Sequence, residues 1–319
     1  VVIWAYMNEV MLKPPYDKKD GRYQSYCQEV NRQARELEQT IRGLDAQRYT
    51  LIPFHGSVSA YEDAGLFTVP MIVGWNLYQG WYGGNFDGFD KFMLAYKEKY
   101  PRTPVIITEY GADVDVRIHS DKPERFDYSV EYGDLYHEHY LNSILSMPFI
   151  AGANIWNLND FHSESRGNAV PHINCKGITT QDRQPKNTYY LYKARLDSVP
   201  FVKFADSDWQ LRSGLLNREG MYRQTVKIYS NQPRLTVLHN GKSLGIVNMV
   251  NGVGTIVITP VEGKNILLAR ADAAELAGCM DLLEFTFKGV KWQPGTDFTE
   301  LNVTLGTACS FTDVEAGIC

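Results

Sequence analysis

The sequence predicts an α/β domain with a parallel sheet, followed by a small antiparallel β-sandwich of immunoglobulin type. Two observations indicate the α/β part: five short apolar runs, and amphipathic segments that alternate with them. Continuous apolar runs are typical of parallel strands, because both faces of such a sheet are buried. A third observation indicates the sandwich: beyond Gln224 the pattern changes to short alternating strands joined by turn residues.

The α/β part is predicted to contain five strands and three helices. The expected strands are Val1–Ala5, Tyr49–Phe54, Met71–Trp75, Val105–Thr108 and Gly152–Trp156. The expected helices are Gln24–Arg42, Phe89–Lys99 and Tyr132–Ser146. Glycine follows the first helix and proline stops the other two, as is usual at helix ends.

The expected domains are residues 1–198, 199–278 and 279–319, the last being the start of a further β region. Within the second, QTVKIYS alternates between apolar and polar residues. Asn240-Gly241 then separates two strand-like runs. This dipeptide predicts a two-residue hairpin turn, because both positions tolerate positive φ.

Composition excludes several classes of protein. A formal net charge of -5 argues against a nucleic-acid partner, which needs a basic face. No apolar run approaches the roughly 18 residues of a membrane span. Five widely spaced cysteines predict neither a disulfide framework nor a zinc cluster, and most of the scattered histidines are expected on the surface or in loops. No metal or cofactor is therefore expected. The many tyrosines and tryptophans suit sugar rings as well as an ordinary core.

Polar side chains follow most of the expected parallel strands directly. Glu9 follows the first strand, Asn76 and Tyr78 the third and Glu109 the fourth, and Trp156 closes the fifth. Because the carboxyl ends of parallel strands share one edge, we expect these side chains to share a site. Two facing carboxylates suit glycoside hydrolysis, in which one protonates the leaving oxygen and the other attacks. A structural role stays open, since a strand-end glutamate also pairs with arginine or caps a helix.

The motifs around these residues resemble glycoside hydrolase family 2. VVIWAYMNEV is similar to the acid/base segment of that family, and PVIITEYGAD to its nucleophile segment. WNLYQGWYGG resembles the segment of the family's sixth strand, and NIWNLNDF resembles its eighth strand. The stretch that leaves the family's barrel is similar to HINCKGITTQDRQPKNTYYLYKARL. These motifs keep the family's order over about the first 200 residues. The resemblance implies a (β/α)8 TIM barrel, with strands 4–8 in this chain, followed by the immunoglobulin-like sandwich.

The resemblance also implies residue roles. Glu9 corresponds to the general acid/base, and Asn8 to the residue that hydrogen-bonds the sugar 2-hydroxyl. Glu109 corresponds to the nucleophile. Tyr78 corresponds to the tyrosine that hydrogen-bonds the nucleophile and keeps it ionised. The other expected substrate-binding residues are Asn76, Trp156, His55, Asn174 and Lys176. A plain core position is the alternative for Trp156.

The substrate is less clear from the motifs. The Asn174-x-Lys176 segment binds the substrate carboxylate in β-glucuronidases, but galactosidase relatives carry a similar segment. The layout after the barrel resembles that of the galactosidase members more, so the resemblance implies a retaining exo-β-glycosidase that hydrolyses terminal β-D-galactosides through a glycosyl-enzyme intermediate. The alternatives are a β-glucuronidase and a non-catalytic carbohydrate-binding fragment. Asp113 and Asp115 are interpreted as equally suited to a solvated loop and to substrate contact.

The first three strands of the family's barrel have no counterpart in this sequence. The sheet edges at Val1–Ala5 and Gly152–Trp156 are therefore expected to be open, and open edges attract other strands. We expect the rest of a longer polypeptide, or a second copy of this chain, to cover them. The remaining expected partner is a carbohydrate substrate. By resemblance to bacterial members, a periplasmic or extracellular location is expected.

Overall fold

The computed structural model describes residues 1–120, 122–167, 170–273 and 278–291. The chain forms two compact units. The first contains Val1–Ala112 and His139–Asn157, and the second contains Asp113–Glu138 and the described residues from Leu158 onward. This division falls elsewhere than the expected boundary at 198, since residues 158–198 belong to the same unit as the β-rich region.

The first unit is built on a five-stranded parallel sheet. Its strands are β1 (Ile3–Ala5), β2 (Tyr49–His55), β3 (Ile72–Asn76), β4 (Val105–Glu109) and β5 (Ile150–Ala153). They lie in chain order, β1-β2-β3-β4-β5, and every neighbouring pair is parallel. All five residues of the central strand β3 are buried. The continuous apolar runs therefore correctly predicted a parallel sheet, in which both faces are covered at β3.

Helices lie between these strands along the chain. They are α1 (Tyr23–Leu44), α2 (Val58–Asp63), a 3-10 turn at Leu66–Thr68, α3 (Asp87–Lys99) and α4 (Val130–Ser146). Helix α1 buries one face, including Cys27, Val30 and Ala34, as its spacing predicts. The short α2 and the 3-10 turn were not predicted from sequence, because a single turn carries too little periodicity.

Strand β5 differs most from its prediction. The expected strand was Gly152–Trp156, but the regular ladder ends at Ala153. The chain nevertheless keeps alongside β4 and the segment after it: Asn154 N–H donates to Ile107 O at 2.8 Å, and Trp156 N–H donates to Tyr110 O at 2.9 Å. An irregularity in the β4–β5 register accompanies this change. The apolar pattern alone placed the start of the strand two residues too late and its end three residues too late.

The second unit contains a short ribbon, a helix and two larger sheets. The ribbon pairs β6 (Phe161–His162) with β7 (Ile173–Asn174), and α5 covers Asn187–Leu196. The strands that follow are β8 (Val202–Phe204), β9 (Leu211–Leu215), β10 (Gln224–Ser230), β11 (Arg234–His239), β12 (Lys242–Asn248), β13 (Val253–Ile258), β14 (Gly263–Ala271) and β15 (Met280–Val290). They form the sheets β13-β10-β8 and β12-β11-β14-β15-β9.

The two sheets of the second unit share one hydrophobic core. Phe204 and Ile228 come from the three-stranded sheet, and Leu235, Leu267 and Phe285 from the five-stranded sheet; all five are buried in one cluster. A layer of side chains between two sheets is the defining feature of a β-sandwich. Alternation along QTVKIYS and its neighbours therefore predicted this layer correctly.

Two details of this region bear on the predictions. Asn240 and Gly241 both have positive φ, 48° and 78°, and connect β11 to β12 as the Asn-Gly dipeptide predicts. Residues from 279 were expected to begin a further β region. The strand within them, β15, instead pairs with β14 and β9 and so extends the same sheet. Residues 292–319 lie outside the described part of the chain.

Among described residues, no helix is long and apolar enough to cross a membrane.

Candidate active site

The register of the parallel sheet brings three expected site residues into line. His55 ends β2, Asn76 ends β3 and Glu109 ends β4. His55 pairs with Asn76, and Asn76 pairs with Glu109, so the three lie side by side across adjacent strands. The carboxyl end of the sheet is the edge where α/β proteins carry their chemistry.

Glu9 reaches this edge from the loop after β1. Its backbone N–H donates to Pro53 O at 3.0 Å, which holds the loop against β2. Met7 and Glu9 both have positive φ, 58° and 49°, a backbone conformation that non-glycine residues rarely adopt. Such conformations are costly and occur preferentially at functional sites.

Asn76 holds the Glu9 carboxylate. Its Nδ2 donates to Glu9 Oε1 at 2.9 Å and to Asn8 Oδ1 at 3.2 Å. Its Oδ1 accepts a hydrogen bond from the Thr108 hydroxyl at 2.6 Å, which fixes the amide orientation. Asn76 is only 2% exposed, so the structure gives it a role in positioning Glu9. Its contact with substrate stays a prediction, and Thr108 is a supporting residue that the sequence analysis missed.

Tyr78 holds the second carboxylate. Its hydroxyl donates to Glu109 Oε2 at 2.7 Å, as predicted. Burial, followed by the negative charge of Glu109, raises the pKa of Tyr78 well above its ordinary range. The tyrosine therefore keeps its proton at any practical pH and remains a donor. A donor of this kind favours the ionised form of the carboxylate that accepts from it.

His55 is held by Tyr61 from α2. The Tyr61 oxygen accepts the His55 backbone N–H at 3.0 Å, and the Tyr61 hydroxyl lies 2.7 Å from His55 Nδ1. We assign the Tyr61 hydroxyl as the donor to His55 Nδ1. Nδ1 is then the acceptor, and the ring hydrogen lies on Nε2. Burial lowers the pKa of His55, although the nearby charge of Glu9 opposes that shift. A neutral imidazole that carries Nε2–H is a suitable hydrogen-bond donor.

Trp156 follows β5 with its side chain at the surface of the first unit. It is 37% exposed, which excludes the plain core position considered from sequence. The Trp156–Asn157 peptide bond is cis. An exposed indole next to a strand end has the flat apolar face that sugar rings require, so its contact with substrate stays a prediction.

Asn174 and Lys176 lie in the second unit, on and just after β7. Asn174 Oδ1 accepts the Lys176 backbone N–H at 3.1 Å. The Lys176 ammonium pairs with Asp113, whose other oxygen accepts the Cys175 N–H at 3.1 Å. Asp113 and Asp115 are 1% and 3% exposed, and Asp115 pairs with Arg117. Neither aspartate is therefore a solvated loop residue, because each carboxylate is buried against a cation.

Lys186 ties this segment to its surroundings. Its ammonium donates to Asp160 Oδ1 at 2.8 Å, to Val114 O at 3.0 Å and to Cys175 O at 3.1 Å. Asp160 Oδ1 also accepts the Gly177 N–H at 2.9 Å. Burial raises the pKa of Asp160, and the charge of Lys186 opposes that shift. The sequence analysis did not identify Lys186, because its partners come from three separate segments of chain.

Tyr78→Phe is expected to lower the rate of the step that forms a glycosyl-enzyme, with little change in the free energy of unfolding. The substitution removes one hydrogen bond to Glu109 but keeps the ring in place. Rapid-quench measurement of that step and thermal unfolding test this result. Tyr82→Phe is the control, because the centroid of the Tyr82 ring lies 5.1 Å from the centroid of the Tyr78 ring. Unchanged kinetics in Tyr78→Phe would show that its hydroxyl serves packing alone.

The fold and this site define an α/β protein with two glutamates held by separate hydrogen-bond partners at the carboxyl edge of a parallel sheet. A family model described as "Glycosyl hydrolases family 2, TIM barrel domain" matches residues 1–201. Since that match covers more than half of the chain, the protein belongs to glycosyl hydrolase family 2.

The chain is similar to proteins named as β-glucuronidases. A provisionally named β-glucuronidase of Formosa agariphila is 25% identical over 323 residues, which cover 91% of this chain and 37% of that relative. A β-glucuronidase of Bacteroides fragilis is 28% identical over 192 residues, 58% of this chain and 27% of the relative. A solved structure of Bacteroides uniformis β-glucuronidase 2, covalently bound to cyclophellitol-6-carboxylate aziridine, is 35% identical, with a TM-score of 0.85. The match covers 91% of this chain and 35% of that protein.

Proposed function

We propose that the protein to which this chain belongs is a retaining β-glucuronidase. The observation that carries the proposal is the similarity, at 35% identity over 91% of this chain, to a β-glucuronidase solved with a covalently bound 6-carboxylate ligand. A covalent adduct fits a nucleophile of the Glu109 type, and a 6-carboxylate fits a uronic acid. We also propose that the five parallel strands are strands 4–8 of the family's barrel.

The relatives reported above are named for glucuronides, so they do not support the galactoside substrate that was expected from sequence. The expectation rested on the layout after the barrel, and a β-sandwich there carries no substrate information. The Asn174-x-Lys176 segment does not decide between the two sugars by sequence. The burial of Lys176 does not decide either, because Asp113 already supplies the anionic partner that a buried ammonium needs, so the relatives carry the choice of glucuronide.

In the proposed mechanism, Glu109 attacks the anomeric carbon of the glucuronide while Glu9 gives its proton to the departing glycosidic oxygen. The glycosidic bond breaks, and a glycosyl ester forms on Glu109. Glu9, now a carboxylate, takes a proton from water, whose oxygen attacks the anomeric carbon and releases Glu109. Asn76 and Tyr78 hold the two carboxylates throughout. A retaining pair requires the two carboxyl groups to lie about 5–5.5 Å apart.

Lys176 is proposed to recognise the substrate carboxylate. In the described structure it pairs with Asp113, and the Arg166 guanidinium lies 3.7 Å from the same carboxylate. Two cations therefore face one aspartate in this cluster. A carboxylate on the sugar ring would be attracted to them, whereas a neutral galactose would not.

Initial rates on aryl β-glucuronide and aryl β-galactoside test the proposed function. The protein is assayed as the natural polypeptide, including any sequence that precedes Val1. We expect turnover of the glucuronide with retention of anomeric configuration, and little turnover of the galactoside. Preference for the galactoside would restore the expectation from sequence. Binding of either sugar without hydrolysis would favour the non-catalytic alternative.

The double variant Lys176→Met with Asp113→Asn is expected to lower kcat/KM for the glucuronide by about 10²-fold, the cost of losing a buried ionic contact. The galactoside rate should hardly change. In Lys176→Met alone, the buried Asp113 carboxylate would keep only the more distant Arg166 guanidinium, at 3.7 Å, and the protein would lose stability. Removing both charges avoids this loss. Lys193→Met, a more exposed lysine on α5, is the control. An equal loss on both sugars would argue against carboxylate recognition by Lys176.

The open edges of the sheet give a further prediction. Strands β1 and β5 each have one neighbour in the described sheet, and Val1 and Val2 are 75% and 83% exposed. Light scattering on a chain that begins at Val1 is therefore expected to show association through these edges, and polypeptide that covers the edges is expected to suppress it. A stable, fully active monomer of the chain that begins at Val1 would contradict this prediction. The periplasmic or extracellular location also remains a proposal.

A further inference from the structure

One buried ion pair in the second unit holds the backbone on both sides of Lys176. The pair joins Lys186 Nζ to Asp160 Oδ1 at 2.8 Å, and the two side chains are 2% and 11% exposed. The Lys186 ammonium also donates to Cys175 O at 3.1 Å. Asp160 Oδ1 accepts the Gly177 N–H at 2.9 Å. The residue before Lys176 and the residue after it are therefore held by the same two side chains.

The hydrogens of the Lys186 ammonium are all used within the second unit. An ammonium group has three donors. In Lys186 they go to one carboxylate oxygen and to the backbone oxygens of Val114 and Cys175. The whole residue is only 4% exposed. Lys186 therefore has no donor left for a substrate, and it acts through the groups that it holds.

Gly177 brings its backbone against the same ion pair. A Cβ atom at this position would lie 2.2 Å from Asp160 N and 2.4 Å from Thr179 O, which is too close for any side chain. Glycine is the residue that permits such a close approach of two backbones. The Lys186 N–H donates in addition to Ile178 O at 3.0 Å. The segment that carries Lys176 is thus fixed by packing as well as by charge.

Lys176 depends on this support for the position of its charge. Its backbone N–H donates to Asn174 Oδ1 at 3.1 Å, and its ammonium pairs with Asp113. A lysine ammonium is a point charge on a flexible four-carbon stem, so its position follows the backbone from which the stem starts. A shift of the backbone at Lys176 would therefore move the ammonium.

Stability alone explains this ion pair poorly. Taking two charges out of water costs about as much free energy as their attraction returns, so a buried pair stabilises a fold little compared with apolar side chains. A buried pair with directional hydrogen bonds does fix geometry. Binding groups need such support, because a displacement of about 1 Å is enough to impair a site.

We propose that Lys186 and Asp160 are positioning residues that place the Lys176 ammonium and so set the preference for a sugar that carries a carboxylate. This inference rests on the proposed function, in which Lys176 recognises the glucuronide carboxylate. Disturbing the pair displaces the Lys176 charge without removing it. The loss therefore falls on the charged sugar and spares a neutral sugar of the same ring configuration.

Two variants of the complete polypeptide test this role. Lys186→Met with Asp160→Asn removes both charges of the pair, whereas Gly177→Ala displaces the backbone and keeps every charge. The value of kcat/KM is measured on aryl β-glucuronide and on aryl β-glucoside, with more enzyme for the slower sugar. We expect the glucuronide-to-glucoside ratio to fall at least about 10-fold in both variants, mainly through KM for the glucuronide. An unfolded fraction lowers both rates equally and leaves this ratio unchanged.

The matched control is Lys203→Met with Asp281→Asn, in the sandwich of the same unit. Lys203 Nζ lies 3.5 Å from Asp281 Oδ2, and that oxygen also accepts the Phe204 N–H at 2.8 Å. The control therefore removes a pair of the same design, a lysine beside an aspartate that accepts a backbone N–H. Its glucuronide-to-glucoside ratio should equal that of the parent.

The possible outcomes separate this inference from the proposed function. A parent without preference for the glucuronide would overturn both. A parent with that preference, and test variants that keep it, would overturn this inference alone. An equal loss on both sugars would show that the ion pair serves the fold and not the position of Lys176. Circular dichroism establishes folding, and Gly177→Ala decides the result if the double variant does not fold.

Discussion

Glu109→Gln is expected to lower kcat/KM for an aryl β-glucuronide by on the order of 10⁴-fold or more, the scale of losing a covalent nucleophile. A glutamine oxygen does not form a stable ester with the anomeric carbon, so the double displacement stops at its first step. The side-chain oxygen still accepts the Tyr78 hydrogen bond, so stability should hardly change. Steady-state rates and thermal unfolding measure these two outcomes separately.

Covalent labelling identifies the nucleophile directly. A glucuronide-like aziridine that carries a 6-carboxylate should add one label per chain, and mass spectrometry of peptides should place it on Glu109. The control is Glu98→Gln, an exposed glutamate of α3, which should be labelled and should turn over substrate like the parent. A label on any other carboxylate would show that Glu109 was assigned the wrong role.

Glu9→Gln is expected to lower kcat/KM by about 10²–10⁴-fold for substrates with poor leaving groups, the usual contribution of a general acid. The loss should be much smaller for a dinitrophenyl glucuronide, because that leaving group departs without a proton. The glutamine oxygen can still accept the hydrogen bond that Asn76 Nδ2 donates to Glu9 in the parent, so the variant should fold like the parent.

Azide provides a second readout for Glu9. In Glu9→Gln the anion should attack the glycosyl-enzyme without base assistance, restore turnover and give a glucuronyl azide of retained configuration. Glu36→Gln, at a 61% exposed side chain of α1, is the control and should not respond to azide. The same loss for good and poor leaving groups, without azide rescue, would mean that Glu9 only positions the substrate.

Local sequence was sufficient for most of the architecture. Continuous apolar runs predicted the five parallel strands, and Asn240-Gly241 predicted the hairpin between β11 and β12. These features depend on neighbouring residues only, through burial of both strand faces and through backbone tolerance of positive φ. The placement of Glu9 and Glu109 at one edge also followed, because parallel strands in sequence order end at the same side of a sheet. The Tyr78–Glu109 hydrogen bond came from family resemblance.

The tertiary structure alone decided which polar side chains meet. Sequence spacing did not indicate that Asn76 would hold Glu9, nor that Lys176 would be buried against Asp113, 63 residues away. Contacts of this range depend on strand register and on loops that pack together, neither of which leaves a periodic signal in the chain. Sequence therefore determined the residues available for chemistry, and packing determined their partners, because a buried charge is stable only where the fold supplies an opposite one.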